Sequence, residues 1–112
     1  MEIQSLSSAE PFTTKDGSTI RELHHTALQS LAEASLPAGT TTQRHYHRLT
    51  EEIYFLLEGE ADMEIDGVRR AVGPGEAILI PPGAWHAVAA ATDLRFLCAC
   101  SPAYAHDDTY LE

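Results

Sequence analysis

The strongest signal in the chain comes from residues 44–60, which read RHYHRLTEEIYFLLEGE. In an extended strand the side chains of His45 and His47 point to the same face, with Cα atoms about 6.6 Å apart. Glu52 follows after a short connection and begins a second strand, which can fold back antiparallel beside the histidines. Two imidazoles and a carboxylate that converge in this way are typical ligands of a transition metal. Glu51 is the competing carboxylate, but strand alternation places it on the opposite face.

A further candidate ligand lies beyond a separate corner of the chain. His86 follows the Gly/Pro-rich segment 81–85, which reads PPGAW. Three imidazoles with one carboxylate suit iron, manganese, nickel, copper or zinc, whereas magnesium and calcium prefer oxygen ligands. The alternative is that the three histidines are surface polar residues and the glutamate is a solvated charge.

The rest of the chain is organised as short β-rich runs separated by turn residues, and this pattern is typical of a sandwich or a small closed barrel. The runs cover residues 40–47, 52–57, 61–65, 68–72, 77–80, 86–90 and 94–100. Asp16-Gly17 predicts a hairpin turn near the N-terminus. Residues 23–36 are ambiguous, because their apolar positions also fit a helical stripe.

These residues and their spacing resemble the two motifs of the cupin superfamily. The first motif is Gly39-(x5)-His45-x-His47-(x4)-Glu52-(x6)-Gly59, and the second is Gly75-(x5)-Pro81-x-Gly83-(x2)-His86. Ala90 stands where the family usually has an asparagine, a position that does not ligate the metal. The resemblance covers roughly residues 37–100.

The resemblance implies an all-β fold, a double-stranded β-helix or jelly-roll cupin barrel, and it favours strands over a helix at residues 23–36. We expect a single cupin domain over residues 1–112, with the barrel at about residues 20–100 and short extensions at both ends. The resemblance also implies that one divalent transition metal ion (Fe, Mn, Ni, Zn or Cu) is bound by His45, His47, Glu52 and His86. Proteins of this type commonly form homodimers, and the apolar run 94–100 supports the same expectation.

Four protein ligands leave two positions of a six-coordinate metal open, and these positions predict chemistry on a small organic molecule inside the barrel. The sequence leaves open a dioxygenase and a Lewis-acid enzyme of the isomerase or cyclase type. The alternative function is a non-catalytic cupin that binds a small ligand such as a sugar or a carboxylate. Tyr54 shares the face of Glu52 and is the candidate proton donor, although a core tyrosine would show the same pattern.

Other side chains allow expectations about the cavity. Phe96 and Cys98, together with Met63 and Ile65, are expected to form its apolar wall. Trp85 either shields the cavity mouth or anchors the corner before His86.

Composition limits the partners and the cellular location. The chain has 112 residues, 7 basic and 17 acidic, with a formal net charge of −10. This charge repels phosphate backbones and anionic lipid surfaces, so we expect no nucleic-acid or membrane partner. No apolar stretch approaches the roughly 20 residues that span a bilayer, and the N-terminus lacks a basic and apolar leader, so a cytoplasmic location is expected. Cys98 and Cys100 are predicted to be reduced core residues, because neighbours on one strand face suit a disulfide poorly.

Overall fold

The computed structural model describes residues 1–112 and contains eleven β-strands. In chain order the strands are β1 (Phe12–Thr13), β2 (Thr19–His25), β3 (Ser30–Leu36), β4 (His45–His47), β5 (Glu51–Glu58), β6 (Ala61–Ile65), β7 (Val68–Val72), β8 (Ala77–Ile80), β9 (His86–Ala90), β10 (Leu94–Ser101) and β11 (Thr109–Leu111). The helical segments are two 3-10 turns, Leu6–Ser8 and His106–Asp108. Neither could span a lipid bilayer.

The strands form two antiparallel sheets whose order differs from their order in the chain. One sheet has the order β1-β2-β3-β10-β5-β8 and the other has the order β11-β4-β9-β6-β7. Long crossovers therefore bring β10 between β3 and β5, and β9 between β4 and β6. The predicted all-β double-stranded β-helix, or jelly-roll barrel, is confirmed.

The ambiguous segment 23–36 forms strands rather than a helix. In β3 the buried Ala34 and Leu36 pair in register with Phe96 and Leu94 of β10. The other edge of β3 pairs with β2. Pairing on both edges satisfies the backbone of β3, and this tertiary context overrides the helix propensity of its alanines. The predicted run 40–47 forms a shorter strand, because residue Thr41 makes only an isolated bridge to Ala89.

Alternation along β5 divides the interior into a polar end and an apolar end. Its buried side chains are Glu52, Tyr54 and Leu56, whereas Ile53 and Phe55 face outward. Leu56 lies in the hydrophobic core, which also includes Ile80, Val88 and Phe96. Burial of one such aliphatic side chain stabilises the fold by about 1.5–3 kcal/mol. The hydrophobic core thus packs directly next to the polar end, where Glu52 lies.

Gly59, the last residue of the first motif, closes the turn between β5 and β6. Its φ is +93°, and a Cβ added there would overlap the carbonyl oxygen of Asp93. Any other residue would therefore force this turn and the Asp93 turn apart.

Candidate metal centre

The four predicted ligands converge at the polar end of the barrel. His45 and His47 lie on β4, Glu52 lies near the start of β5, and His86 begins β9 directly opposite His45. All four residues are buried, with at most 4% of their surface exposed. One nitrogen or oxygen from each lies within 4.8 Å of those of the others. Glu51 is exposed on the outer face of β5, so the carboxylate in this cluster is that of Glu52.

Backbone carbonyls fix the orientation of the three imidazoles. The Nδ1 atoms of His45, His47 and His86 lie 2.8 Å, 3.1 Å and 2.9 Å from the carbonyl oxygens of Gln43, Asp108 and Ala84. A carbonyl oxygen only accepts hydrogen bonds, so each Nδ1 carries the proton. Each neutral ring therefore directs an unprotonated Nε2 toward the centre, which is the form that binds a metal ion.

Glu52 places a carboxylate oxygen among these nitrogens. Its Oε1 atom lies 3.0 Å from Nε2 of His47 and 3.2 Å from Nε2 of His86. With the rings neutral, Oε1 of Glu52 and Nε2 of His86 have no hydrogen-bond partner, although both atoms are buried. Buried polar atoms without partners are costly, and a cation between them would satisfy both.

The charges in the cluster are mutually dependent. Burial opposes the charged form of Glu52, but His47 and His86 outweigh it and hold the pKa of this carboxyl well below its usual value. Burial also opposes protonation of His47, but without a metal the Glu52 carboxylate, which would accept a hydrogen bond from the protonated ring, raises the pKa of this imidazole. Burial and the neighbouring His86 lower the pKa of His45. The carboxylate thus stays ionised, and the arrangement of three nitrogens and one oxygen could hold a divalent transition metal ion.

Two thiols contact the other oxygen of Glu52. Sγ of Cys98 lies 3.0 Å and Sγ of Cys100 3.4 Å from Oε2 of Glu52, and the two sulfur atoms are 3.6 Å apart. Both cysteines are free. The hydrogen bond with Cys100, burial and the nearby Glu52 charge raise the pKa of the Cys98 thiol well above its usual value. Besides packing in the barrel interior, the cysteines therefore hydrogen-bond to a member of the candidate metal centre.

Tyr54 lies one inward position further along β5 than Glu52. Its ring packs against Phe96 at 4.5 Å and meets the edge of His86 at 6.1 Å between ring centres. Tyr54 is buried and lines the same cavity as the cluster. Burial, together with the charge of Glu52, raises the pKa of Tyr54 well above its usual value, so the phenol remains protonated.

The cavity beside the cluster has a volume of about 40 Å³, which is room for two or three water molecules. Phe96 and Cys98 line it, as expected, but Met63 and Ile65 do not. Met63 instead belongs to the hydrophobic core, and Ile65 packs against that core. Trp85 does not line the cavity either. It packs against Tyr46 at 4.6 Å, with the guanidinium of Arg44 5.3 Å from its ring centre, and so anchors the corner before His86.

The structure also places residues at the site that sequence reasoning missed. Asp16, Tyr104 and Thr109 line the cavity. The Asp108 carboxylate accepts hydrogen bonds from the backbone N–H groups of residues 48–50, the loop that joins the histidine strand to Glu52. Asp16-Gly17 gave only a turn signal, and the C-terminal segment gave no signal that connected it with the cavity.

Comparison with known proteins assigns the sequence to a family. The cupin-domain family model matches residues 32–100. The "Uncharacterized protein MJ1618" of Methanocaldococcus jannaschii is 43% identical over 107 residues, covering 89% of this chain and 86% of that protein. The family-model match confirms the predicted resemblance.

Solved structures agree on the fold. Ectoine synthase from P. lautus superposes with a TM-score of 0.85 at 21% identity, covering 100% of this chain and 90% of that one. The nucleoside dehydratase Pac13, from Streptomyces, gives a TM-score of 0.84 at 14% identity, covering 97% and 88%. At these identities the likeness extends to the barrel fold alone.

Proposed function

Because the chain belongs to the cupin family, we propose that it is a metal-dependent enzyme acting on a small organic molecule inside its barrel. His45, His47, Glu52 and His86 would bind one divalent transition metal ion, among Fe, Mn, Ni, Zn and Cu. The observation that carries this proposal is the pair of buried atoms without partners, Oε1 of Glu52 and Nε2 of His86, at the centre of the cluster. We also propose that residues 1–112 act as a single domain.

Of the two chemistries considered from the sequence, we favour Lewis-acid chemistry of the isomerase or cyclase type over dioxygenase chemistry. The thiols of Cys98 and Cys100 lie within hydrogen-bond distance of the ligand Glu52. Although the raised pKa keeps the Cys98 thiol protonated and slow to oxidise, a reactive oxygen species formed at a dioxygen-activating centre would meet both sulfur atoms directly. When bound, the ion would instead polarise a carbonyl or enolate oxygen of the substrate.

In this proposal Tyr54 is the proton donor. Its phenol lines the cavity beside the cluster and stays protonated because burial raises its pKa. It would donate a hydrogen bond to the substrate atom on which negative charge develops, and a proton if that atom becomes more basic than the phenolate. The apolar contact with Phe96 fixes the ring, so the hydroxyl is already positioned before a substrate binds.

Metal analysis of protein purified without an affinity tag tests the proposal. We expect about one ion per chain in the wild type. His86→Ala should lose both the ion and the thermal stabilisation that the ion confers. His24→Ala is the control, since His24 lies on β2 outside the cluster. Unchanged metal content in both His47→Ala and His86→Ala would contradict the assignment.

A second measurement separates the two chemistries. The zinc, manganese or nickel form, kept under argon, should convert a small hydroxy-carbonyl compound into an isomer or a dehydrated or cyclised product. Substrate-dependent oxygen consumption by the iron(II) form, with both thiols still reduced, would replace the Lewis-acid proposal with a dioxygenase.

We further propose that the protein is a cytoplasmic homodimer without nucleic-acid or membrane partners. The net charge of −10 supports the absence of such partners. The outer face of the six-stranded sheet carries Ile53, Phe55 and Leu79, which are 40–55% exposed and lie on the neighbouring strands β5 and β8. Contiguous apolar side chains of this kind are typical of a subunit interface.

A further inference from the structure

The charged side chains around the cavity are of one sign. Asp16, Glu22 and Glu52 line it, and no lysine or arginine does. Lys15, although next to Asp16 in sequence, donates instead to the carbonyl oxygen of Thr109 at 3.1 Å. A carboxylate ligand that entered this cavity would therefore find no cationic side chain to pair with.

Asp16 is held rigidly at the cavity by the turn between β1 and β2. Its Oδ1 atom accepts hydrogen bonds from Oγ1 of Thr14 at 2.6 Å and from the N–H and hydroxyl of Ser18 at 2.9 Å and 2.7 Å. The N–H of Gln43 donates to the backbone carbonyl of Asp16 at 2.8 Å, which ties the turn to the segment before β4. The position of this carboxylate is thus fixed by the protein.

The second oxygen of Asp16 is the one available to a ligand. Oδ2 lies 3.8 Å from Nε2 of His45, and only 12% of the Asp16 side chain is exposed. Nε2 of His45 carries no proton in the metal-binding form, because its Nδ1 donates to Gln43. Oδ2 of Asp16 therefore has no protein donor and lies beside an atom of the candidate metal centre.

The charge balance of the site identifies the class of ligand. A divalent ion is neutralised by Glu52 and Asp16 together, whereas the Glu22 side chain is 31% exposed to solvent and its Oε2 atom lies 3.0 Å from Nδ1 of the exposed His25. A neutral ligand keeps this buried site neutral, but an anionic ligand leaves an unpaired negative charge in it. We propose that the cavity accepts neutral small molecules with a hydroxyl or amide N–H that donates to Oδ2 of Asp16. Asp16 is then the residue that rejects carboxylates. This inference rests on the proposed metal site.

A matched pair of probes tests the inference on the cobalt(II)-loaded protein. Glycolamide and glycolate have the same size and the same hydroxyl group, but one is neutral and the other is an anion. Binding is followed by the visible absorption spectrum of cobalt(II), a readout that needs no turnover. We expect the wild type to bind glycolamide at least about tenfold more tightly than glycolate, although a carboxylate is the stronger metal ligand in water.

Removal of the Asp16 charge should abolish this preference. In Asp16→Asn we expect the ratio of the two dissociation constants to shift toward glycolate by about tenfold or more, with cobalt content unchanged. Asp107→Asn, an exposed carboxylate outside the cavity, should leave the ratio unchanged. Asp16→Ser also removes the charge and keeps a short polar side chain in the turn. It replaces Asp16→Asn in the binding experiment if the asparagine variant does not fold.

The outcomes separate this inference from the proposed function. A wild type that prefers glycolate, a ratio that Asp16→Asn leaves unchanged, or a loaded protein that responds to neither probe would overturn the inference and leave the metal site standing. Loss of cobalt from Asp16→Asn would also overturn it, because Asp16 would then be a metal ligand. A wild type that binds no cobalt would refute the proposed function itself.

Discussion

Substitution of Asp108 by alanine should loosen the loop that joins two of the proposed ligands. The Asp108 carboxylate accepts hydrogen bonds from the backbone N–H groups of Arg48, Leu49 and Thr50 at 3.1–3.3 Å. Arg48 and Leu49 are exposed, so water can replace the carboxylate there, at a cost of about 0.5 kcal/mol each. Thr50 is only 3% exposed, and its N–H would be left without a partner, at about 1–3 kcal/mol. The free energy of unfolding should therefore fall by about 2–4 kcal/mol.

Urea denaturation of the metal-free protein measures this loss. Asp107→Ala is the matched control, because Asp107 is exposed and its side chain makes no hydrogen bond. Asp108→Asn keeps one acceptor oxygen and should lie between the wild type and Asp108→Ala. A loss in Asp108→Ala no larger than about 0.5 kcal/mol beyond the control, within the usual range for surface substitutions, would refute the reasoning.

The same variant should bind metal more weakly. The loop 48–50 sets the separation of His47 and Glu52, and the carbonyl of Asp108 accepts the hydrogen bond from Nδ1 of His47. This carbonyl is retained in Asp108→Ala, but its position is no longer fixed by the side chain. Loss of such support lowers metal affinity by about 10- to 100-fold, which competition with a chelator would measure. Full affinity in a clearly destabilised variant would show that the loop does not position the ligands.

Other parts of the structure give independent predictions. Tyr54→Phe should keep the metal and the fold but lose most of the turnover, and activity at the wild-type level would remove Tyr54 from the mechanism. Burial opposes ionisation of Glu64, but the N–H of Gly67 and the guanidinium of Arg44 outweigh it and lower its pKa. The stability that this carboxylate contributes is present above its unfolded pKa of about 4.3 and is lost as the pH falls through the folded value. Glu64→Gln should therefore destabilise the protein at neutral pH and progressively less in acid. Urea denaturation midpoints measured across this pH range test the prediction. Ile53→Glu on the outer face of β5 should give a monomer by light scattering, and a monomeric wild type would remove the proposed dimer.

Local rules place three of the proposed ligands on one face, whereas His86 was identified through the resemblance of its segment to the second cupin motif. Strand alternation puts His45 and His47 on one face and separates Glu52 from Glu51, and these rules act over a few residues. The same alternation indicated correctly that Tyr54 points inward. It failed at residues 23–36, where the apolar positions fit two periods and only pairing of β3 with β2 and β10 decides between them.

Residues from the two ends of the chain could not be predicted because long-range pairing brings them to the cavity. Asp16 reaches it because its turn is tied to the segment before β4 by the hydrogen bond from the N–H of Gln43 to its carbonyl oxygen, and Thr109 reaches it because β11 pairs with β4. Thr109 lies opposite His47 in that pairing. The neighbouring Asp108, whose carbonyl accepts the hydrogen bond from the His47 ring, is 61 residues from His47 in the sequence. No local pattern records a contact over such a distance.

The positions of these residues suggest how one metal centre serves different ligands. The family match, residues 32–100, contains all four proposed ligands but neither Asp16 nor Tyr104. The part of the chain that the family shares would therefore supply the metal ligands and Tyr54, while the flanking segments add further groups, Asp16 and Tyr104, that line the cavity. Relatives with the same ligands and different ends should differ in the charge and shape of what they bind. In this chain the flanking carboxylate of Asp16 makes a neutral ligand the expected partner of the centre.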